Sequence, residues 1–529
     1  MGITEILKAP IDLKLKVLHV VRIVIAAIGR LFYSLYYGNE GQKIPTITDE
    51  ILKESTIEVA RKIRQKEISS VEVTEVCIRR IKDVNSALNF FVEDRFELAL
   101  KEAREADELI RSGTLSIQQL EKEKPLLGVP FTTKDCFAVK GLRFTSGIVL
   151  RKDFISDEDA GAIRQLRDKG AIIIGITNVP ELCMWWETHN HIYGRTNNPY
   201  NTTRIVGGSS GGEGCIQAVG GSIFGVGSDI GGSIRMPAFF NGIFGHKPSR
   251  GIVSNTGQFP TPESALIDSF LGVGPMTRHA TDLKPLLDIM AGDNKNKLKL
   301  NEPVNINKIK VYYQFSSGAP LVDAVDPDII IAMKKVVEFL SVQHKLDAEE
   351  KKIDLLRKSL PIWMATMKTK QKFETLIMKN EGVGAILKEI GKNFIGCSGN
   401  TLICLFTALS DHSGIEVGSE RHLHYIKLRE NLEKIFTDML GDDGVFLYPV
   451  HPTPAPFHNE PLLKPFNFGY TAIINCLGLP ATAIPLGLSR DGLPIGIQVV
   501  ANHNNDRLCL AIAEELDKAF GGWVEPQKS

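Results

Sequence analysis

Serines set among glycines are the residues of this chain whose types and spacing most suggest chemistry. The stretch from Gly207 to Arg235, GGSSGGEGCIQAVGGSIFGVGSDIGGSIR, holds five serines and eleven glycines. Glycine has no side chain and accepts positive φ, so successive backbone N–H groups can converge on one negatively charged atom. Such a loop can bind a phosphate, or it can stabilise the oxyanion of a tetrahedral intermediate.

Nucleotide-binding interpretations fit this stretch poorly. A phosphate loop needs a lysine directly after its glycines, and the segment from Gly227 to Ser233 has none. A dinucleotide site could use Gly225 and Gly227, but the third glycine is out of register and no acidic residue is placed to bind a ribose. The oxyanion interpretation is therefore favoured.

A second alternative is the nucleophile elbow of α/β-hydrolases, because Gly207-x-Ser209-x-Gly211 satisfies its pattern. That enzyme class needs a downstream acid and histidine. Several histidines follow, yet none lies in a setting that singles it out: His412, His422, His424, His451, His458 and His503. This alternative stays open on the sequence alone.

An upstream lysine supplies a candidate base. Lys134 follows a short β-prone run, Val129 to Thr133, with turn residues before it. In a central strand the ammonium would be buried, and desolvation favours the neutral amine, which can act as a base near pH 7. Taken alone, the segment is explained better by a strand-end lysine paired with a carboxylate.

Lys134, the GGSSGG stretch from Gly207 and the DIGGSIR stretch from Asp229 together resemble the amidase signature family of serine hydrolases. The resemblance runs from about Ile51 to the end of the sequence. Longer strings are similar to those of the fatty-acid amide hydrolases of animals, the type-2 branch in particular. These strings are ELCMWWET from Glu181, RMPAFFNGIFGHKPS from Arg235 and GDDGVFLYP from Gly441.

The resemblance implies a Ser-cisSer-Lys triad, with Ser233 as nucleophile, Ser209 as bridging serine and Lys134 as base. A serine hydroxyl is a weak nucleophile until a base takes its proton. A relay through Ser209 can then return that proton to the leaving nitrogen, which matters because an amide anion leaves poorly. The resemblance implies neither a metal nor an organic cofactor.

The resemblance also implies that four backbone N–H groups stabilise the oxyanion, those of Ile230, Gly231, Gly232 and Ser233. Three further residues are expected to shape the loop around them: Ser210, Asp229 and Arg235. For these the structural role is favoured over direct chemistry. Lys247, in the His-Lys-Pro string, is expected to be an ordered scaffold residue rather than a second base.

Composition favours one large catalytic domain. The chain has 529 residues without a low-complexity linker or repeat, and 62 acidic against 62 basic residues give no reason to expect nucleic acid as a partner. The eight cysteines include no CxxC pair, which favours a reduced, cytosol-facing domain over a disulfide framework.

Strand-like runs alternate with helical ones along the chain. Helical spacing of apolar residues covers Glu50 to Lys82 and Asp94 to Arg111, and strand-like runs include Val129 to Thr133, Ala171 to Ile176, Ile309 to Tyr313 and Val445 to Pro449. This alternation predicts an α/β sheet covered by helices. The resemblance implies a mixed, twisted central sheet with helices on both faces.

The N-terminal segment from Val17 to Gly38 is strongly apolar but contains Arg22 and Arg30. Its length suits a transmembrane helix, yet each arginine costs a few kcal/mol near the bilayer centre unless it snorkels. An interfacial or hairpin-like anchor tolerates the arginines better, and both alternatives stay open. We expect an anchor over residues 1–38 and a catalytic domain over residues 39–529.

Residues 301–440 depart most from the family strings, so we expect substrate choice to lie there. The apolar run from Thr401 to Leu409 fits one buried helix. It also fits the membrane-facing cap and acyl channel that the resemblance implies for this region, in which case exposed apolar residues would be functional.

The sequence therefore predicts a hydrolase associated with intracellular membranes that cleaves long-chain N-acyl amides through an acyl-enzyme. The expected partners are a lipid amide substrate and a membrane surface, and a homodimer is left open. Three alternatives remain: an amidase of small or peptide amides, a glutamine-hydrolysing amidotransferase-like subunit, and a non-enzymatic lipid-binding member of the family.

Overall fold

The computed structural model describes residues 11–262, 264–369, 371–379, 382–412 and 414–526. The first ten residues of the predicted anchor lie outside the described residues. The strands are β1 (Phe91–Asp94), β2 (Pro130–Lys134), β3 (Ile172–Thr177), β4 (His189–Asn190), β5 (Gly194–Arg195), β6 (Phe224–Asp229), β7 (Phe244–Lys247), β8 (Gly272–Thr277), β9 (Lys310–Tyr313), β10 (Ala348–Glu350), β11 (Gly444–Pro449), β12 (Ala481–Leu488) and β13 (Pro494–Ala501).

Helices occupy most of the chain between these strands. They are α1 (Ile11–Tyr37), α2 (Thr56–Arg64), α3 (Ser70–Leu88), α4 (Phe96–Ser112), α5 (Ile117–Glu123), α6 (Gly161–Asp168), α7 (Gly211–Ala218), α8 (Arg235–Phe240), α9 (Ala265–Phe270), α10 (Leu283–Ala291), α11 (Pro327–Gln343), α12 (Ser359–Thr366), α13 (Glu374–Ile377), α14 (Val383–Phe394), α15 (Leu402–Asp411), α16 (Glu420–Leu440), α17 (Gly469–Cys476) and α18 (Asp506–Phe520).

Eleven strands form one mixed sheet, in the order β1-β3-β2-β6-β8-β7-β12-β13-β11-β9-β10. Strand β2 runs parallel to β3 and to β6, and β9 runs parallel to β11 and β10, whereas the remaining neighbours are antiparallel. Strands β4 and β5 form a separate two-stranded sheet. The predicted mixed α/β sheet is thus confirmed.

Side chains on both faces of the sheet are buried in apolar layers. Along β11, Val445 and Leu447 belong to one core cluster, whereas Phe446 and Tyr448 belong to another. This alternation follows from the two-residue period of a strand and shows that each face is covered. Helix α18 contributes to the first layer and helix α17 to the second.

The predicted strands agree with the observed ones to within one residue at either end. The second predicted helix starts later than expected, at Phe96 instead of Asp94. The reason is that Asp94 still pairs with Gly175 of β3, which extends strand β1 to that residue.

The two apolar segments of the sequence, residues 17–38 and 401–409, each lie almost entirely within a helix. In helix α15, Cys404, Leu405 and Ala408 are buried while Phe406 is exposed, so only one face of the helix belongs to the core. Within helix α1, the segment Val20–Tyr37 is long and apolar enough to cross a membrane, judged by length and composition.

Candidate active site

The site forms at one edge of the sheet, where the parallel strands β2 and β6 end. Lys134 is the last residue of β2, and Asp229 is the last residue of β6. Because the carboxyl ends of neighbouring parallel strands lie at the same edge, the two residues and the loops that follow them are brought together. The serine-rich segment before helix α7 meets them there.

Lys134 is fully buried and surrounded by oxygen atoms. Its Nζ lies 2.9 Å from Ser209 Oγ, 3.2 Å from Ser210 Oγ and 3.3 Å from the Ser228 carbonyl oxygen. Among the described residues, no carboxylate lies within ion-pair distance of Nζ. The strand-end lysine therefore has hydroxyl neighbours and not the carboxylate that the isolated segment suggested.

Ser209 follows a cis peptide bond from Gly208. A Cβ atom at position 208 would lie 2.5 Å from the carbonyl oxygen of Trp185, so only glycine fits there. Ser210 N–H donates to the Ser233 carbonyl at 3.1 Å, which fixes the two serine loops side by side. Ser233 is 9% exposed, whereas Ser209 is 2% exposed and Ser210 is fully buried.

The loop from Ile230 to Ser233 joins β6 to helix α8. Gly232 has a φ of +121°, and a Cβ atom there would lie 2.1 Å from Thr471 Oγ1, so glycine is required on both counts. Its N–H donates to Asp229 Oδ1 at 2.7 Å. The N–H groups of Ile230, Gly231 and Ser233 have no acceptor among the described residues, which leaves them available to a ligand.

Asp229 and Arg235 form a fully buried ion pair behind this loop. Arg235 Nε and Nη2 each lie 3.0 Å from a different Asp229 carboxylate oxygen. Burial alone would raise the pKa of Asp229, but the Arg235 guanidinium holds it below its ordinary value. The carboxylate also accepts the N–H of Ile234 at 3.1 Å, so one anion orders the whole turn.

Four polar residues that the sequence did not single out complete the support of this loop. Arg235 donates to Gln498 Oε1 at 2.7 Å and to Asn475 Oδ1 at 2.6 Å. Thr471 Oγ1 donates to the Gly231 carbonyl at 2.7 Å, and Trp363 Nε1 donates to the Ile230 carbonyl at 3.0 Å. Gln498 ends the string GLPIGIQ from Gly492, which also resembles the family, but nothing in that string indicated its partner.

The histidines of the nucleophile-elbow alternative lie elsewhere. His451 stacks near Trp186 and Phe240, and His458 pairs with Glu187 at 3.1 Å. Among the described residues, none of the six candidate histidines is hydrogen-bonded to Ser209 or Ser233. The side chain that contacts Ser209 is a lysine, which counts against this alternative.

Lys247, at the end of β7, is buried and donates to the Pro248 carbonyl at 2.8 Å. Burial and the nearby Arg235 guanidinium lower the pKa of Lys247 to about 8. No hydrogen bond joins it to the serines within the described residues. The described residues also contain no group of three or more His, Cys, Asp or Glu side chains that could hold a metal ion.

Glu213, on helix α7, is a buried carboxyl group behind the lysine. It accepts hydrogen bonds from Thr177 Oγ1 at 2.9 Å and Thr132 Oγ1 at 3.0 Å. Burial raises the pKa of Glu213 to about 8, against the opposing effect of these hydroxyls. The helix that follows the serine loop is thus bound to strands β2 and β3 through a carboxyl group that is protonated at neutral pH.

Comparison with known proteins shows the family of this chain. The Amidase family model matches residues 72–510, and the chain belongs to the amidase family of amide-hydrolysing enzymes. It is 44% identical over 525 residues to fatty-acid amide hydrolase 2 of Homo sapiens, with 98% of each chain covered. It is 32% identical to one subunit of the glutamyl-tRNA(Gln) amidotransferase of Legionella pneumophila, covering 87% of this chain and 95% of that protein.

A solved structure of a fatty acid amide hydrolase has the same fold. The TM-score is 0.68 at 24% sequence identity, and the match covers 90% of this chain and 86% of that chain.

We predict that Glu213→Gln flattens the pH dependence of stability. In the unfolded chain this carboxyl ionises near its ordinary value of 4.5, whereas in the folded protein its pKa is about 8. Between these values the folded state keeps a proton that the unfolded state has released, so the free energy of unfolding falls as pH rises. Glutamine, which is neutral, removes this contribution.

The measurement is the midpoint of denaturant unfolding between about pH 5 and about pH 8, the interval over which linkage acts. Wild-type protein should lose more stability than Glu213→Gln across this range. Glu108→Gln, at an exposed position, is the matched control and should follow the wild type. Identical pH profiles for Glu213→Gln and wild type would contradict the prediction.

We also predict that Trp363→Phe lowers kcat for an amide substrate by roughly 2- to 10-fold, the value of one hydrogen bond. Phenylalanine keeps a ring beside Phe468 but cannot donate to the Ile230 carbonyl. Met364→Leu, at the exposed neighbouring position, should leave kcat unchanged. An unaltered kcat for Trp363→Phe would show that the indole does not hold the loop in its active shape.

Proposed function

We propose that this protein is a membrane-associated serine hydrolase that cleaves long-chain fatty-acid amides to a fatty acid and an amine. The observation that carries the chemistry is the buried Lys134 amine, 2.9 Å from the hydroxyl of Ser209. The 44% identity to a fatty-acid amide hydrolase, over 98% of both chains, supports the substrate class. No cofactor enters the proposed reaction.

In the proposed mechanism Ser233 attacks the carbonyl carbon of the amide. Its proton passes to Ser209 Oγ while the proton of Ser209 passes to Lys134 Nζ. Nζ lies 2.9 Å from Ser209 Oγ, within reach of that proton, and its contacts with Ser210 Oγ and the Ser228 carbonyl oxygen hold it there. Reversal of the relay protonates the leaving nitrogen, and water then hydrolyses the acyl-enzyme.

The oxyanion of the tetrahedral intermediate would be bound by the N–H groups of Ile230, Gly231 and Ser233. The fourth predicted donor, Gly232, supports the same loop by donating to Asp229. Each such donor is worth about 3 kcal/mol of barrier, because it is already oriented when the charge develops. Asp229 and Arg235 act as positioning residues that keep these donors aligned.

The proposed acyl-binding and membrane-facing part is the region from 301 to 440. Several apolar side chains of helices α14 and α15 and the residue after α14 are exposed: Leu387, Phe394, Ile395 and Phe406. Exposed apolar clusters of this kind mark contact with lipid or with an apolar ligand. We propose residues 1–38 as the anchor, residues 39–529 as the catalytic domain, and a cytosol-facing active site on an intracellular membrane.

Each of the three alternative functions has less support than the proposed one. A glutamine-hydrolysing amidotransferase subunit has support from several relatives, but at 30% to 32% identity and without an explanation for the apolar face of α1. A small-amide or peptide amidase shares the chemistry and is separated from our proposal by substrate tests. A non-enzymatic lipid-binding member would have no need of a lysine buried against two serines.

We predict that Ser233→Ala lowers amide hydrolysis by at least about 10³-fold, as loss of a catalytic nucleophile does. A fluorophosphonate probe with peptide mapping should modify Ser233 in the wild type and no serine in the variant. Ser269→Ala, at a half-buried helix position outside the site, is the control and should be modified as the wild type is. Adduct on Ser209 or Ser210 instead would revive the nucleophile elbow.

We predict that Lys134→Ala slows amide cleavage more than ester cleavage. An alkoxide leaves without protonation more easily than an amide anion, so an ester depends less on the returned proton. The measurement is kcat/KM for an amide and an ester with the same acyl chain. Equal losses on both substrates would contradict the relay, and Lys140→Ala, at an exposed position, should change neither.

An acyl-chain series tests the substrate class separately. The proposed function predicts that kcat/KM rises as the acyl chain of the amide lengthens from short to long, because more apolar surface is buried in the channel. A preference for short or peptide amides, with the triad intact, would assign the protein to the small-amide alternative.

A further inference from the structure

One stripe of helix α1 lies against the rest of the protein. The residues on this docking stripe are Arg22, Ala26, Gly29, Tyr33 and Tyr37, which recur at the spacing of one helix face. Ala26 is buried, and a Cβ atom at Gly29 would lie 2.1 Å from Leu463 Cδ1. The helix backbone therefore approaches the protein closely at the middle of the stripe.

Near its N-terminal end the stripe is held by an ion pair. Arg22 Nη1 lies 2.6 Å from Asp323 Oδ1, with side chains 11% and 15% exposed. Asp323 also pairs with Lys464 at 3.4 Å and accepts a hydrogen bond from Asn467 Nδ2 at 3.0 Å. Arg22, whose charge would be unfavourable in a bilayer core, thus has a largely buried carboxylate as its partner.

The C-terminal end of the stripe has its own polar contacts. Asn459 Nδ2 donates to Tyr37 Oη at 2.6 Å, and the Tyr37 ring meets the His458 ring edge to face at 5.7 Å. His458 in turn pairs with the buried Glu187. From Arg22 to Tyr37 the docked stretch is about 22 Å long, at 1.5 Å per residue.

The opposite face of α1 is apolar and exposed. Its exposed fractions are 60% for Val20, 51% for Val24, 63% for Ile28, 63% for Leu31 and 78% for Leu35. These residues follow the same helical spacing as the docking stripe but lie on the other side of the helix. A continuous aliphatic face of this length has the chemistry of a lipid-contacting surface.

A transmembrane position is incompatible with this docking. A spanning helix is surrounded by hydrocarbon. Asp323, which contacts α1, and the charged residues behind the docking stripe, Lys464 and Glu187, would then lie at the depth of the bilayer core. We propose that helix α1 lies in the plane of the membrane surface, held to the catalytic domain by its docking stripe, with a lipid bilayer as the partner of its opposite face.

This inference rests on the membrane association in the proposed function and not on the hydrolytic chemistry. The inference favours an interfacial anchor over a transmembrane helix, the two alternatives that the sequence left open. In the docked position, Arg22 and Arg30 both stay outside the bilayer core. Arg22 contacts Asp323, and Arg30, with a half-exposed side chain, lies 3.9 Å from Asp491.

The test measures depth in the bilayer along the exposed face. Single spin labels are placed at Val20→Cys, Ile28→Cys and Leu35→Cys in the full chain, with Cys397→Ser removing an exposed native thiol. The protein is bound to vesicles of zwitterionic phospholipid with a minor anionic component. An in-plane helix should give three similar depths, about 5–10 Å below the surface.

A transmembrane helix would give a different profile, deepest at Ile28→Cys and shallower toward Val20→Cys and Leu35→Cys, and that result would overturn the proposal. Absence of immersion at all three labels would also overturn it. In that case a dipolar broadening between labels would identify a second copy of the chain as the partner of this face.

Charge reversal tests the docking contact. Arg22→Asp should loosen α1 and alter the depth profile, whereas Arg22→Lys, which keeps a positive charge beside Asp323, should keep the wild-type profile. Arg30→Asp, which reverses a more exposed charge on the same helix, is the matched control and should keep the wild-type profile. An unchanged profile in Arg22→Asp would show that this ion pair does not hold the helix.

Hydrolysis of a fatty-acid amide is measured in parallel for every labelled protein. A transmembrane or non-immersed profile in the labelled protein that keeps its native docking residues, together with full hydrolysis, would reject the inference and leave the proposed function standing. The in-plane profile without hydrolysis of any fatty-acid amide would reject the proposed function and leave the inference standing.

Discussion

The buried ion pair between Asp229 and Arg235 is the interaction on which the rest of the site depends. Removing two charges from water is expensive, and it is tolerated only when every polar atom around them is satisfied. Here the carboxylate and guanidinium together engage backbone N–H groups of the turn, Gln498 and Asn475. Strands β6 and β13 and helices α8 and α17 must therefore keep fixed relative positions for the loop to exist.

The proposed base, Lys134, is also held in place by the polar groups around it. Lys134 enters the site from a strand that is buried along its whole length, so its amine is held among hydroxyl and carbonyl oxygens. In that environment the proposed proton transfer between Ser209 and the amine would run over a short, fixed distance and cost little reorganisation. The protonated Glu213 below it binds α7 to the sheet without adding a second charge.

The strands, the glycine loops and several site residues could be predicted from the sequence, because local patterns and the family resemblance indicate them. Lys134, Ser209, Ser210, Asp229 and Arg235, each singled out from a local string, lie near one edge of the sheet. Trp363, Thr471 and Asn475 were missed, since each reaches the loop from 133 or more positions away and no local pattern records such a contact. The partner of Arg22, 301 positions away, was invisible for the same reason.

The segment from Glu181 to Thr188 is fixed at both ends by contacts far from the chemistry. Glu181 accepts hydrogen bonds from Asn400 and from the Thr401 N–H, and Glu187 pairs with His458, whose ring contacts Tyr37 of helix α1. Between them, the Trp185 carbonyl oxygen lies 2.5 Å from the position that a Cβ atom on residue 208 would take. Evolution of the serine loop is thereby constrained by distant contacts. A larger residue at position 208 would require compensating changes around residues 181–188, which are held by Asn400, Thr401 and His458.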